Sequence, residues 1–170
     1  MPGWLTWLVA LALLVLESAV SAAFGIDTFV IQTPVLITLF LAFRREFATG
    51  ALVLVALLLP IEWLVVAPGG YYSLGLVVVF LLLYAARGYV DSKWGGTQVL
   101  LAVLAVGFHA AIMAGAMWLV EPGSIGGQTF WRGALNGALA AGVVVWPLGV
   151  MLDKFDSVAT RGSKSAVRLS

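Results

Sequence analysis

Four polar side chains lie inside long apolar stretches of this sequence, and their chemistry is the first thing to explain. Glu17, Glu62 and Arg132 are ionisable, and Asn136 carries an amide. Burying such groups in hydrocarbon is costly unless each finds a partner. Counted along their helices, all four would lie in the same half of a membrane. We therefore expect one polar cluster of Glu17, Glu62, Arg132 and Asn136, in which Arg132 pairs with Glu62 or, as second choice, with Glu17.

Three roles are open for this cluster. We interpret it first as structural, with an Arg–carboxylate pair that holds helices together. The alternatives are a contact surface for the helices of a partner protein and a site for a ligand or a proton.

The sequence gives no sign of catalysis. His109 is the single histidine, and its neighbours Val, Phe, Ala and Ile favour a neutral, internally bonded side chain over a ligand. There is no cysteine, which removes disulfides and thiolate metal sites. Gly-x-Ser-x-Gly, His-Glu-x-x-His and Gly-rich phosphate motifs are missing as well. We predict no catalytic residue, no metal, no cofactor and no nucleic-acid partner.

The elements that must position these residues are membrane helices. The chain has 170 residues, of which 62% are hydrophobic and 10% charged, and its mean hydropathy is +1.08. These values are typical of an integral membrane protein rather than a soluble domain. A span takes about 20 residues, so this length holds about six spans and little else.

Six apolar runs divide the chain accordingly. They cover residues 4–24, 28–43, 47–67, 71–86, 97–120 and 130–156, separated by Gly, Pro and charged residues. We predict an all-α integral membrane fold, a single bundle of six transmembrane helices over residues 1–156. Residues 157–170 are basic and Ser-rich, and we expect them to form a disordered cytoplasmic tail.

The last run combines a span with two stripes of small residues, and we expect the other helices to pack against it. Residues with little or no side chain recur every four positions in each stripe, which lets helices approach closely in lipid. The stripes are Gly133, Gly137, Ala141 and Ala134, Ala138, Gly142. Asn136 lies beside them and needs a hydrogen-bond partner, from this protein or from a second one. We expect Gly133, Asn136, Gly137 and Ala141 to form a packing or partner face.

The basic residues orient the predicted bundle, because Lys and Arg resist translocation. With a cytoplasmic amino terminus, Arg132 is the one basic residue in an outer loop or outer span end. The other eight of the nine fall on the inside: Arg44, Arg45, Arg87, Lys93, Lys154, Arg161, Lys164 and Arg168. Both termini are therefore predicted to be cytoplasmic.

Several short motifs resemble the MreD family of bacterial membrane proteins. The second run contains Thr33-Pro34-Val35-Leu36 and ends at Arg44-Arg45, and the third starts with Gly50-Ala51. The last run has Asn136, Pro147 and a closing Leu152-Asp153. Glu62 followed by Pro68-Gly69-Gly70 stands where family members often have an acidic residue, usually Asp, and a glycine-containing loop.

The resemblance implies a function in cell shape and peptidoglycan synthesis. A member of this family would be a non-catalytic scaffold or regulatory subunit of the cell-wall elongation complex in the bacterial cytoplasmic (inner) membrane. Its partners would be MreC, the RodA glycosyltransferase and a class B penicillin-binding protein, with an indirect link to MreB. The family is also similar in fold to the membrane subunits of energy-coupling-factor vitamin transporters. A solute-binding subunit of such a transporter is therefore the alternative.

Overall fold

The computed structural model describes residues 2–25, 32–64, 70–90, 95–120 and 128–167, without the side chains of 95, 128, 129, 153 and 155–167. All regular structure within these residues is helical, which confirms the all-α prediction. The helices are α1 (Gly3–Phe24), α2 (Thr33–Arg44), α3 (Phe47–Leu64), α4 (Tyr71–Ala86), α5 (Gly95–Val120) and α6 (Gln128–Val167).

Four of the six helices are long and apolar enough to cross a membrane. Their apolar segments are Gly3–Phe24, Phe47–Leu64, Gly96–Val120 and Phe130–Leu152. Helices α2 and α4 have 12 and 16 residues, or about 18 and 24 Å, less than the ~30 Å hydrocarbon core. Residues 28–31 and 65–67, which the sequence assigns to spans, lie outside the described residues. The chain is thus a multi-pass membrane protein by helix length and composition.

The short helix α2 lies at the centre of the bundle and contacts all five other helices. Val35, Leu36, Leu41 and Ala42 are almost completely buried on different sides of it. This differs from the expectation that the chain packs around the last helix. A short helix surrounded by others can be apolar on every side, whereas α6 packs mainly against α5 and leaves one face exposed.

Local chemistry explains where α2 begins and ends. Pro34 occupies the first turn, where its missing N–H removes no helical hydrogen bond. The preceding residue, Gln32, has φ 58° and is the non-glycine residue with positive φ among those described. Arg45 leaves the helix in an extended conformation with φ −118°. The chain thus enters α2 through a left-handed residue, a conformation that is uncommon for residues other than glycine.

Helix α6 continues past the membrane span as far as Val167. The structure therefore differs from the sequence prediction of a disordered tail over residues 157–170, most of which is helical. Pro147 is the last proline in the chain. Every later residue keeps its backbone N–H, so the helical hydrogen-bond pattern has no obligatory stop.

Candidate functional site

The first carboxylate of the predicted cluster caps a helix. Glu17 of α1 is 7% exposed. Its Oε2 accepts a hydrogen bond of 3.2 Å from the backbone N–H of Thr33, the first residue of α2. The first N–H groups of a helix have no partner within the helix, and the helix dipole makes that end positive. Glu17 therefore satisfies an otherwise unpaired donor and is stabilised by the positive end of α2.

The second carboxylate caps the other short helix in the same manner. Glu62 of α3 is half-buried, and its Oε1 accepts hydrogen bonds from the hydroxyl of Ser73 and, at 3.1 Å, from the Ser73 backbone N–H. Ser73 lies in the first turn of α4. Both short helices thus receive a carboxylate cap from a neighbouring long helix, and these caps link α1 to α2 and α3 to α4.

These bonds correct the expected four-residue cluster. Glu62 pairs with Ser73 rather than with Arg132. Arg132 and Asn136 are exposed on α6, which packs mainly against α5 and to a smaller extent against α2. Within the described part of the chain, no ion pair joins Arg132 to Glu17 or Glu62. The structure therefore separates the four residues into two helix caps and one exposed pair.

The small-residue face of α6 is divided between the core and the surface. Gly137 and Ala141 are buried, and a Cβ on Gly137 would lie 2.9 Å from the Cγ of Gln32. Gly133 is exposed, and a Cβ there would meet nothing within 4 Å. At about 100° per residue, Asn136 is on the side of the helix opposite Ala141. Gly137 and Ala141 are packing residues, while Gly133 and Asn136 belong to the exposed face.

A second group of polar side chains, which the sequence did not indicate, lies at the starts of α2 and α4. The hydroxyl of Tyr72 donates to the Oε1 of Gln32 at 3.3 Å. His109 of α5 bonds through Nε2 to the backbone oxygen of Tyr72 at 3.1 Å. The two rings pack edge to face with centroids 4.5 Å apart. His109 is 2% exposed, so it is internally bonded, as its apolar surroundings predict.

These three residues line a cavity of about 230 Å³. Residues of α5 and of the first described turns of α6 also line it. The lining residues are Gln32, Tyr72, Val106, His109, Ala110, Met113, Phe130, Gly133 and Ala134. The signal that could have located it is Gln32, a lone amide directly before Thr33-Pro34 within a run otherwise made of apolar residues and Thr.

The described residues thus present two features with functional potential. One is the exposed face of α6 that carries Arg132, Gly133 and Asn136. The other is the cavity lined by Gln32, Tyr72 and His109. Comparison of the chain with models of protein families, with curated proteins and with solved structures gives no match.

Proposed function

We propose that this protein is a non-catalytic scaffold or regulatory subunit of the bacterial cell-wall elongation complex. It binds an MreC-like partner that crosses the membrane once, and acts with RodA and a class B penicillin-binding protein in the cytoplasmic membrane. MreB filaments are reached only indirectly. The observation that supports a partner-binding function is the position of Asn136 on the exposed face of α6.

An exposed amide in a membrane span requires a partner. Asn136 lies six residues inside the segment Phe130–Leu152, or about 9 Å along the helix axis from its first residue. No hydrogen bond from its side chain reaches any residue that the structure describes. Lipid tails cannot satisfy an amide, whereas a second helix can. The neighbouring residue on this face, Gly133, has open space above it, so a helix backbone can approach closely there.

Arg132 adds a positive charge to the same face, which favours a partner with a negative charge. It precedes Asn136 by four residues, so the two side chains are neighbours on the helix surface. Near the end of the span, its guanidinium can extend toward the headgroups while its stem remains among apolar groups. A partner helix with a carboxylate near the outer interface and a hydrogen-bonding group one turn deeper would complement both residues.

The first test substitutes the residues of this face one at a time. Asn136→Leu and Gly133→Leu are each expected to reduce recovery of a co-expressed, tagged MreC-like protein from detergent extracts. Interhelical hydrogen bonds in lipid are worth about 0.6–2 kcal/mol, which corresponds to an affinity about three- to thirtyfold lower for Asn136→Leu. Quantitative co-purification at equal expression measures the change.

Gly115→Leu is the matched control for this experiment. Gly115 is also an exposed glycine of a membrane span, and a Cβ added there would meet nothing within 4 Å, but it belongs to α5. Recovery of the partner should be unchanged for this variant. Undiminished recovery with Asn136→Leu would refute the assignment of the binding face.

The proposed topology has six spans and both termini in the cytoplasm. In this arrangement α2 and α4 belong to the second and the fourth span. The chain has no cysteine, so introduced thiols are labelled without background. Cysteines at positions 92 and 163 are expected to react only from the cytoplasmic side, and one at position 124 only from outside. Labelling of positions 92 and 124 from the same side would contradict six spans.

The alternative function, a solute-binding subunit of an energy-coupling-factor type transporter, is favoured by the cavity beside His109. The two functions differ in what binds the protein. An elongation subunit retains an MreC-like protein on purification, and a transporter subunit retains an ATPase module. Retention of the ATPase module alone would replace the scaffold proposal.

A further inference from the structure

The cavity beside His109 combines a small volume with hydrogen-bonding groups from several helices. We propose that it binds a small, uncharged ring compound with an amide or lactam edge, which donates one hydrogen bond and accepts another. The inference does not rest on the proposed membership of the elongation complex, because it is argued from the described lining residues of one chain.

Gln32 supplies the donor in this site. Its Oε1 accepts the hydroxyl proton of Tyr72, which orients the amide and leaves the two Nε2 protons for another acceptor. Within the described residues, Nε2 has no hydrogen-bond partner. The Cγ of Gln32 lies beside Gly137, since a Cβ added to that glycine would be 2.9 Å from it. A carbonyl oxygen of a ligand would be a suitable acceptor.

His109 supplies the acceptor. The carbonyl of Tyr72 can only accept, so the Nε2 of His109 must carry the proton in their hydrogen bond. The other ring nitrogen, Nδ1, then has a lone pair to offer. The Cδ2–Nε2 edge of the ring faces Gly75 of α4, and Nδ1 is the ring atom opposite that edge. No described residue donates a hydrogen bond to Nδ1. An N–H group of a ligand would be a suitable donor.

The rest of the lining favours an uncharged ring. Phe130 and the ring of Tyr72 offer aromatic surfaces, and Met113 offers a polarisable thioether. None of the described lining residues carries a full charge. The carboxylate of Glu17 lies close enough to Tyr72 for an electrostatic interaction, which disfavours an anionic ligand.

The volume limits the ligand to about one ring. The volume of the cavity is about 230 Å³. Drug-sized ligands occupy pockets of about 300–1,000 Å³. Two directional polar groups in an otherwise apolar pocket are the usual means of fixing a ligand's orientation.

The test is a titration of the purified full-length protein in detergent with benzamide, observed by saturation-transfer NMR. Benzamide has the proposed ring and amide edge, and we expect a Kd on the order of 1 mM for so small a ligand. Toluene and benzoate, each tested in the same way, should bind at least about fivefold more weakly. The first lacks the hydrogen-bonding edge, and the second is charged.

Two conservative variants locate the binding. Gln32→Met keeps the Cγ packing but removes the amide, and Tyr72→Phe keeps the ring but removes the hydroxyl that orients Gln32. Each should weaken benzamide binding about fivefold or more. Thr38→Val is the matched control, because Thr38 is a buried residue of α2 whose hydroxyl bonds to Pro34 within the helix. It should bind benzamide as the unmodified protein does.

Melting temperatures of all variants show which remain folded, and either folded cavity variant is sufficient for the comparison. Equal binding of toluene and benzamide would overturn the proposal, since the cavity would then be an apolar gap that detergent or lipid also fills. Unchanged benzamide binding by Gln32→Met or Tyr72→Phe would overturn it as well. Because no partner protein is present, a negative result leaves the test of the α6 face unaffected.

Discussion

The substitution Gly137→Leu is expected to destabilise the protein by at least about 1–3 kcal/mol, the usual cost of overpacking a core. A Cβ at Gly137 would lie 2.9 Å from the Cγ and 3.3 Å from the Nε2 of Gln32. A movement of the Gln32 side chain away from α6 would cost the hydrogen bond that its Oε1 accepts from the hydroxyl of Tyr72. The larger Leu side chain must therefore separate α6 from α2. A lower thermal midpoint in detergent, followed by size-exclusion chromatography, measures the loss.

Gly133→Leu is the matched control, one turn earlier on the same helix. Gly133 is exposed and has nothing within 4 Å of an added Cβ, so its stability should change by no more than about 0.5 kcal/mol. The two variants thereby separate folding from partner binding. Gly137→Leu should lose the fold, whereas Gly133→Leu should keep the fold and lose the partner. Equal stability of both variants would place Gly137 on the lipid-exposed surface.

The number and type of the helices could be predicted from the sequence because each follows from a local run of apolar residues. The helix ends at Arg44 and Ala86 differ from the predicted span ends by no more than one residue. The short lengths of α2 and α4 and the central place of α2 could not be predicted. They depend on which helices are neighbours. A helix that is apolar on every side has no hydrophobic periodicity, so its sequence does not indicate which side faces which helix.

The expected pairing of Arg132 with Glu62 was wrong for an identifiable physical reason. The prediction grouped the charged residues by their depth in the membrane. It assumed that each carboxylate needs a positively charged side chain as its partner. A helix start offers the same compensation through its unpaired N–H groups and its dipole. Glu17 uses the start of α2, and Glu62 uses the start of α4. Both carboxylates thus accept a hydrogen bond from the start of a helix.

The stripe of small residues on α6 is divided into a buried half and an exposed half. Gly133 and Gly137 are four residues apart and therefore lie on neighbouring turns of one face. The sequence does not indicate how much of that face is covered by another helix of the bundle. Gly137 meets Gln32, while Gly133 lines the cavity beside His109 and has nothing within 4 Å of an added Cβ. The cavity was missed for a related reason, since Gln32, Tyr72 and His109 are distant in sequence and meet only because α2 lies between α4, α5 and α6.

The second large effect is expected at Gly75, where α4 meets the ring of His109. A Cβ there would lie 2.6 Å from Cδ2 and 2.9 Å from Nε2 of His109. An imidazole ring has no flexible end that could yield, and this one is buried and bonded to the Tyr72 backbone. Gly75→Ala should therefore cost about 1–3 kcal/mol, despite the better helix propensity of Ala. Gly107→Ala, at an exposed span glycine with nothing within 4 Å, should be neutral or slightly stabilising.

A double-mutant cycle tests whether this cost arises from the histidine. His109→Ala removes the ring that the new methyl group would strike, so Gly75→Ala should cost much less in that background. Residues in direct contact couple by about 0.5–3 kcal/mol, and we expect a value in this range from thermal midpoints of the four proteins. Strictly additive losses would show that the two residues do not touch, and α4 would then have to pack against α5 through a different face. Coupling of the expected size would instead fix the orientation of the His109 ring, on which the acceptor role of its Nδ1 atom depends.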